Sequence, residues 1–227
     1  MKNNLDAIKV GAMCPSTLDQ QGAEIEMSTD FARAEDIAKT LGKDSFTPKL
    51  SHDFNDFIEQ NAFWLFMKES GEYTASVAAR FDNIGRESMS QYLRRTMARH
   101  YPHQGGDTLT NVADALPAGF HGGLAYIGEL YVGENARGSR RKLRSFMMMQ
   151  VMIATKWDVD WTYAFMRDRD VQRGFSTLYG FTMQIPGIYT WNKPAPAGRG
   201  DTEWLVSLPA PDLEHVMSYY ANLVEGL

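Results

Sequence analysis

The second half of the chain alternates strand-like and helix-like stretches, and this order restricts the fold more than any other feature of the sequence. Residues 124–132 form an apolar, strand-like run, residues 139–156 have helical spacing, and residues 159–166 are again strand-like. A strand, a helix and a strand in succession place the two strands parallel in one sheet, joined by a right-handed crossover. The sequence therefore predicts a mixed α/β fold with at least one parallel strand pair.

The first half of the chain adds antiparallel elements. Residues 63–67 and 73–81 are strand-like and are separated by a turn, which is typical of a hairpin. We expect residues 1–22 to be a poorly ordered lead-in to a single domain over 23–227, and we interpret 82–123 as an insertion. That insertion would form a substrate wall or a lid, or its helix would cover an open sheet edge. Further predicted elements are strands at 23–27, 181–191 and 202–208, helices at 31–38, 53–60, 88–100, 170–179 and 212–223, and a helical turn near 112–115.

Composition and charge exclude several classes of protein. The 227 residues include one cysteine, Cys14, which excludes a disulfide framework and favours a reducing compartment. A net charge of −5 argues against a general nucleic-acid binder, whose surface would be basic. No apolar run reaches the roughly 18 residues that a membrane span needs, and the N-terminus lacks the pattern of a secretory signal. We therefore predict a cytoplasmic protein with no membrane span and no nucleic-acid partner.

A cluster of cations interrupts this acidic chain just after the strand-like run at 124–132. The cluster has five members within eight residues, and they are Arg137, Arg140, Arg141, Lys142 and Arg144. They lie where a helix is predicted to begin, although the positive end of the helix dipole disfavours cations there. Gly138, within the cluster, would let backbone N–H groups approach a ligand closely. The cluster is either a solvated helix start or a site for an anion such as phosphate.

Two motifs resemble a known family. The run IGELYV at residues 127–132, followed by Ala136, Arg137 and Gly138, resembles the fourth strand and acyl-CoA loop of the GNAT superfamily of N-acyltransferases. The run GFSTLYGF at residues 174–181 resembles a second segment of that family. The resemblance implies the GNAT fold, a mostly antiparallel central sheet with flanking helices in which a parallel fourth and fifth strand splay apart. The pantetheine arm of the donor lies in that gap.

The resemblance also implies a function and a cofactor. We expect an N-acyltransferase that moves an acyl group, most simply acetyl, from acyl-CoA to a small-molecule or peptide amine. The implied donor-binding residues are Leu130, Tyr131, Val132, Arg137, Gly138, Ser139, Arg140, Arg141 and Lys142. The chain departs from the family pattern in that loop, because Arg140 and Lys142 replace two small residues. Their side chains would crowd the pyrophosphate, or their charge would replace backbone contacts through a forked Arg–phosphate interaction.

The candidate catalytic residues are Glu129, Ser176 and Tyr179. Glu129 lies in an otherwise apolar strand, where burial would raise the pKa of its carboxyl and suit a general base. The alternative is that Glu129 is the solvent-facing polar position of a half-buried strand. Ser176 occupies the place of the family's tyrosine acid and Tyr179 that of a leucine, so water or Tyr179 protonates the leaving thiolate, or protonation is not limiting. Backbone N–H groups near residues 130–132 would hold the oxyanion.

Several alternatives stay open at the level of sequence. The cation cluster could dock an acidic acyl-carrier protein, the donor that N-acyl amino acid and lactone synthases of the same family use. A non-catalytic, CoA-binding regulator with the same fold is a further reading, and a homodimer is compatible with either. No metal site is predicted, because His100 and His103 have no further ligands at suitable spacing.

Overall fold

The computed structural model describes residues 5–20, 22–104, 106–134 and 140–225. The strands in these ranges are β1 (Ala23–Ser28), β2 (Ala62–Glu69), β3 (Glu72–Asn83), β4 (Leu109–Val112), β5 (Gly123–Val132), β6 (Trp161–Met166), β7 (Met183–Ile185), β8 (Tyr189–Trp191) and β9 (Trp204–Pro209). The α-helices are α1 (Leu5–Gln20), α2 (Phe31–Thr40), α3 (Met89–His100), α4 (Arg140–Ala154), α5 (Asp168–Gln172), α6 (Phe175–Leu178) and α7 (Ala210–Glu225). None of the described helices is both long and apolar enough to cross a bilayer.

Seven strands form one mixed sheet in the order β1-β2-β3-β5-β6-β9-β7. Its neighbouring strands are antiparallel except for β5 and β6, which are parallel and connected through α4. The fold class expected from the sequence, a mostly antiparallel sheet with one parallel pair and flanking helices, is therefore confirmed. The parallel pair is β5 and β6 here because β4 belongs to the 82–123 segment and lies outside this sheet.

Each face of the sheet is covered by a separate apolar core. Along β2, Phe63 and Leu65 face the first core, which α1, α4 and α7 cover, and Trp64 and Phe66 face the second core, beneath α2 and α3. This alternation follows from the two-residue period of a strand. Both faces of β2 are buried, which explains its continuous apolar sequence. The second core also contains the small sheet of β4 and β8.

The N-terminal segment is a packed helix, so the expectation of a poorly ordered lead-in is wrong. Helix α1 buries Val10, Cys14 and Leu18 in the first core and contacts α4 and α7. These residues recur every four positions, which is helical spacing. Pro15 lies inside this helix and hid the pattern, because proline normally breaks a helix interior.

Local turn chemistry changes several other boundaries. The stretch 181–191 forms the two strands β7 and β8, in different sheets, because Pro186 and Gly187 separate them. Gly174, with φ of 79°, divides the helix expected over 170–179 into α5 and α6. The helix predicted over 53–60 is wrong, because these residues form turns and irregular chain. The helical turn expected near 112–115 is wrong too, because Val112 ends strand β4, which pairs with β8, and a turn without a helix follows.

Candidate functional site

The parallel strands β5 and β6 separate within the sheet. Among the described residues they are paired at three positions, of which the last joins Tyr126 to Tyr163. Beyond that pair β5 continues to Val132 and β6 continues to Met166, but no further residues of these two strands pair with each other. A strand that loses its neighbour presents unpaired backbone N–H and C=O groups along that edge. We call the point of separation, at Tyr126 and Tyr163, the fork.

A β-bulge deforms β5 just beyond the fork. In the register with β3, Tyr131 faces Ser76 and Gly128 faces Ala78, so two residues of β5 lie opposite one residue of β3. Glu129, within the bulge, has a φ of 59°, which is strained for a residue with a side chain. Bulges interrupt ladder pairing and redirect side chains, and they are common next to binding sites.

The 41–50 loop, which follows α2, lies against this part of β5. Thr47 donates its backbone N–H and its hydroxyl to Glu129 Oε1 at 2.7 and 2.6 Å. Lys43 Nζ lies 2.8 Å from the other carboxylate oxygen. Gly128 leaves room for the loop, because a Cβ there would lie 2.9 Å from Leu50 Cδ1. One carboxylate therefore fixes the loop to the bulge.

Glu129 is buried, but its surroundings differ from what the sequence indicated. Its side chain is 1% exposed, so the solvent-facing alternative is wrong. The expectation that its surroundings are apolar is wrong too, because Lys43 and Thr47 supply three polar donors to its carboxylate. A carboxylate has about four lone-pair sites, so few remain for a substrate proton. A catalytic role for Glu129 stays a prediction.

The three donor-binding candidates on β5 are half-buried. The side chains of Leu130 and Val132 pack against the first core. Tyr131 points its hydroxyl at the backbone of the 41–50 loop, where a Cβ on Gly42 would lie 2.9 Å from it. These side chains are held at least in part by protein contacts, and a role of the segment in donor binding stays a prediction.

Ser176 lies on α6, and Tyr179 is the residue directly after this helix. Both are buried, and Tyr179 belongs to the first core. Ser176 is 1% exposed, and its Oγ has no hydrogen-bond partner among the described residues. Tyr179 is also buried and stacks on Phe175 with ring centroids 5.9 Å apart. Burial, and secondly the charge of Asp170, raise the pKa of Tyr179 above its usual value. The raised pKa keeps the phenol protonated and makes it a weaker acid than an exposed tyrosine, so a role of Tyr179 or Ser176 as proton donor stays a prediction.

The cation cluster is described only in part. Arg137, Gly138 and Ser139 lie outside the described residues, and so do the side chains of Arg140 and Arg141, although α4 begins at Arg140. Lys142 Nζ lies 2.6 Å from a carboxylate oxygen of Glu69 in β2, and the guanidinium of Arg144 lies 4.0 Å from the ring centroid of Tyr220. These two cations thus have partners within the protein.

A second polar group lies at the fork, and no local pattern in the sequence predicts it. Lys49 Nζ lies 5.3 Å from the ring centroid of Tyr126 and 5.8 Å from that of Tyr163. It donates a hydrogen bond of 2.7 Å to Tyr92 Oη, and that hydroxyl donates one of 2.7 Å to Asp82 Oδ2. Lys49 belongs to an irregular loop without periodicity, and its partners come from distant elements, so no local signal marks it.

The electrostatics of this group follow from burial. Lys49 is 2% exposed, and desolvation lowers the pKa of its amine to about 7, against the opposing charge of Asp82. Burial likewise lowers the pKa of His100 to about 4, with a further contribution from the charge of Lys49. Burial raises the pKa of the Asp82 carboxyl, but the charges of Arg80, 2.6 Å away, and of Lys49 lower it by more. The pKa is therefore lowered overall, and Asp82 stays ionised.

A groove beside β8 is a separate feature of the second core. It has a volume of about 450 Å³, which suits a small ligand, and Tyr101 and Trp191 contribute to its lining. Aromatic rings join it to the fork, with centroids of Trp191 and Tyr189 at 5.1 Å, Tyr189 and Phe165 at 5.4 Å, and Phe165 and Tyr163 at 5.8 Å. No group of metal-ligating side chains occurs in the ranges that the structure covers.

Comparison with known proteins gives structural likeness at low identity. No protein-family model matches the sequence, and no curated protein matches it either. FeeM, an N-acyl amino acid synthase from uncultured soil microbes, is 12% identical, with a TM-score of 0.48 over 85% of this chain and 93% of that chain. Arabidopsis thaliana Naa50, in complex with a bisubstrate analogue, is 12% identical, with a TM-score of 0.44 over 82% of this chain and 98% of that chain. The GNAT domain of S. lividans PAT is 14% identical, with a TM-score of 0.43 over 82% of this chain and 90% of that chain. Function is therefore inferred from this chain's own residues.

Proposed function

We propose that this chain is an N-acyltransferase of the GNAT type, which moves an acyl group from the pantetheine thioester of acyl-CoA to an amine. The observation that carries the proposal is the gap that opens between β5 and β6 beyond Tyr126 and Tyr163. A pantetheine arm contains two amides in an extended chain. Such a chain can bind an open strand edge through backbone hydrogen bonds, as an added strand does.

The start of α4 supports a phosphate site at the exit of this gap. Helix α4 follows β5 in the chain and is 15 residues long, so its N-terminus carries the positive end of a helix dipole. We assign the pyrophosphate and 3′-phosphate of CoA to this N-terminus together with Arg137, Arg140 and Arg141. Lys142 is bound to Glu69, and we infer that it fixes the start of α4 to β2.

The proposed reaction forms a C–N bond and breaks a C–S bond. The amine nitrogen attacks the thioester carbonyl, the oxyanion accepts hydrogen bonds from backbone N–H groups near Leu130 to Val132, and the thiolate leaves. The nitrogen gives up one proton, and the thiolate takes one up. We assign the second transfer to water or to the phenol of Tyr179, which follows α6 and which burial keeps protonated but makes a weaker acid.

A non-catalytic, donor-binding regulator is the second candidate. It is favoured by Glu129, because a carboxylate committed to Lys43 and Thr47 is poorly placed to serve as a base. An acyl-carrier protein is the alternative donor, and its acidic surface would dock at the cation cluster. We further propose a cytoplasmic location, which the single cysteine favours, and a homodimer stays a prediction.

Donor binding tests the proposal and separates these candidates. Calorimetric titration would use acetyl-CoA, a long-chain acyl-CoA and an acyl-carrier protein, followed by thiol release on addition of a panel of amines. We expect saturable binding of an acyl-CoA and thiol release that depends on the amine. Binding without thiol release supports the regulator, binding of the carrier protein alone supports that donor, and no binding contradicts the proposal.

The phosphate site has its own matched pair of variants. Arg137→Ala combined with Arg140→Ala should weaken acyl-CoA binding and reduce its dependence on salt, because two phosphate contacts are lost. Arg86→Ala combined with Arg173→Ala removes the same charge from two exposed positions elsewhere and should leave the affinity unchanged. Equal affinities for the two double variants would contradict the proposed site.

A further inference from the structure

The ammonium position of Lys49 coincides with the fork. Its Nζ lies over the rings of Tyr126 and Tyr163, which are the last paired residues before β5 and β6 separate. It also lies 4.4 Å from the ring centroid of Tyr92 on α3. Lys49 therefore holds an amine at the closed end of the gap, on the face of the sheet that α3 covers.

The hydrogen bonds around Lys49 determine how its nitrogen is oriented. Tyr92 has a single hydroxyl proton, and it donates that proton to Asp82 Oδ2 at 2.7 Å. Tyr92 Oη is thus left as an acceptor, and it accepts from Lys49 Nζ at 2.7 Å. Asp82 is itself fixed by the guanidinium of Arg80. A neutral amine in this position has one N–H bound to Tyr92 and keeps its lone pair for another partner.

Lys49 lacks the counter-ion that a buried ammonium normally has. Among the described residues no carboxylate lies within 4 Å of its Nζ, since Asp82 is reached only through Tyr92. A buried charge without a paired ion is unfavourable, so the neutral amine is populated near neutral pH. The titratable and charged groups that face Lys49 are Arg80 and Asp82 on β3, Tyr92, Arg95 and His100 on α3, Tyr126 on β5, Tyr163 on β6, and Arg199.

We propose that Lys49 is the proton acceptor for the amine substrate and that Tyr92 and Asp82 are positioning residues for it. The inference rests on the proposed acyl transfer. As the C–N bond forms, the substrate nitrogen transfers one proton to the lone pair of Lys49 Nζ, which becomes an ammonium. The C–S electron pair leaves with the thiolate, which takes its proton from the donor already described. Lys49 returns to the neutral amine by releasing its proton to solvent after the acylated product leaves.

A titration that needs no turnover tests the premise. In protein labelled with ¹³C-lysine, the Cε resonance of Lys49 is assigned by its loss in Lys49→Met and followed from pH 5 to 10. We expect a midpoint near 7, whereas exposed lysines titrate at about 10.4. In Tyr92→Phe the midpoint should move, because a hydrogen-bond partner of Nζ is lost. A wild-type midpoint near 10 would overturn the proposal, whatever the protein catalyses.

Single-turnover acyl transfer tests the catalytic step. The wild-type rate should rise with pH up to a plateau above about 7, and Lys49→Met should lose about 10²-fold or more at neutral pH, as expected for a lost general base. Lys68→Met is the matched control, since Lys68 also lies over a tyrosine ring, 4.6 Å from Tyr73, but is paired with Glu26. It should keep the wild-type rate.

The outcomes separate this inference from the proposed function. If the protein binds acyl-CoA and transfers the acyl group, and Lys49→Met retains the wild-type rate and pH profile, Lys49 is a structural residue and the inference fails alone. If Lys49 titrates near 7 but no thioester transfers to any amine, the proposed function fails and the catalytic role of Lys49 fails with it. Loss of transfer in Lys49→Met with unchanged acyl-CoA affinity supports both.

Discussion

The contact between Glu129 and the 41–50 loop predicts a large loss of stability in Glu129→Gln. The amide can still accept the hydrogen bonds of Thr47 through its oxygen, but its NH₂ group then faces the ammonium of Lys43, which lies 2.8 Å from the carboxylate. Breaking a buried ion pair costs about 3–5 kcal/mol. We expect the lower end, about 3 kcal/mol, because the Lys43 side chain is 15% exposed and can regain some hydration.

Urea unfolding measures this loss directly. The midpoint should fall with an unchanged m-value, and the thermal midpoint should fall by roughly 6–12 °C at about 2–4 °C per kcal/mol. Glu24→Gln, at an exposed position on β1, is the control and should stay within about 0.5 kcal/mol of the wild type. A Glu129→Gln variant as stable as that control would refute the assignment of Glu129 as the anchor of the loop.

A double-mutant cycle with Lys43→Met isolates the ion pair. If the two side chains interact as the 2.8 Å distance indicates, their coupling energy should exceed about 1 kcal/mol. Lys43→Met combined with Glu129→Gln should then be less damaging than the sum of the two single changes. Strict additivity would show that the loss in Glu129→Gln arises elsewhere.

Three smaller effects follow from local geometry. Asp30→Ala should destabilise the protein by about 1 kcal/mol in urea, and Asp30→Asn by less, because Asp30 caps the N-terminus of α2. Gly128→Ala should cost about 1–3 kcal/mol in urea unfolding, because its Cβ would lie 2.9 Å from a leucine methyl, whereas Gly119→Ala has open space and should be neutral. Glu35 raises the pKa of His52, so the stability that His52 contributes is fully present below its unfolded pKa and lost as the pH rises through the folded one. His52→Gln should therefore lower stability at pH 5 and not at pH 8, by less than about 1 kcal/mol because His52 is 40% exposed.

Much of the sheet could be predicted because its strands carry strong local patterns. The apolar run of β2 and the β5, α4 and β6 sequence determine both the hairpin and the parallel crossover. Helix α1 was missed, although Val10, Cys14 and Leu18 have helical spacing, since Pro15 outweighed that signal. The division of 181–191 into β7 and β8 depends on tertiary pairing with different partners, which a local pattern does not encode.

The site was harder to predict than the sheet, because its contacts join residues distant in sequence. Glu129 was identified, but its partner Thr47 is 82 positions away, and the left-handed backbone of the bulge has no sequence signature at a glutamate. Lys49 meets Tyr92 across 43 positions. Its chemistry arises from burial among tyrosines of three other elements, so a lysine in an irregular loop gives no warning of it.

Transfer of a labelled acyl group to an amine is the most direct test of the proposed acyltransferase activity. The purified protein would be mixed with [¹³C]acetyl-CoA and a mixture of amines, and the products followed by mass spectrometry, with Lys49→Met in parallel. With the wild type we expect a labelled amide and one equivalent of free thiol per amide formed, and with the variant at least about 10²-fold slower formation. Saturable binding of acetyl-CoA, a long-chain acyl-CoA or an acyl-carrier protein, without any labelled amide from the matching labelled donor, would show that the protein binds a donor and does not transfer its acyl group to an amine.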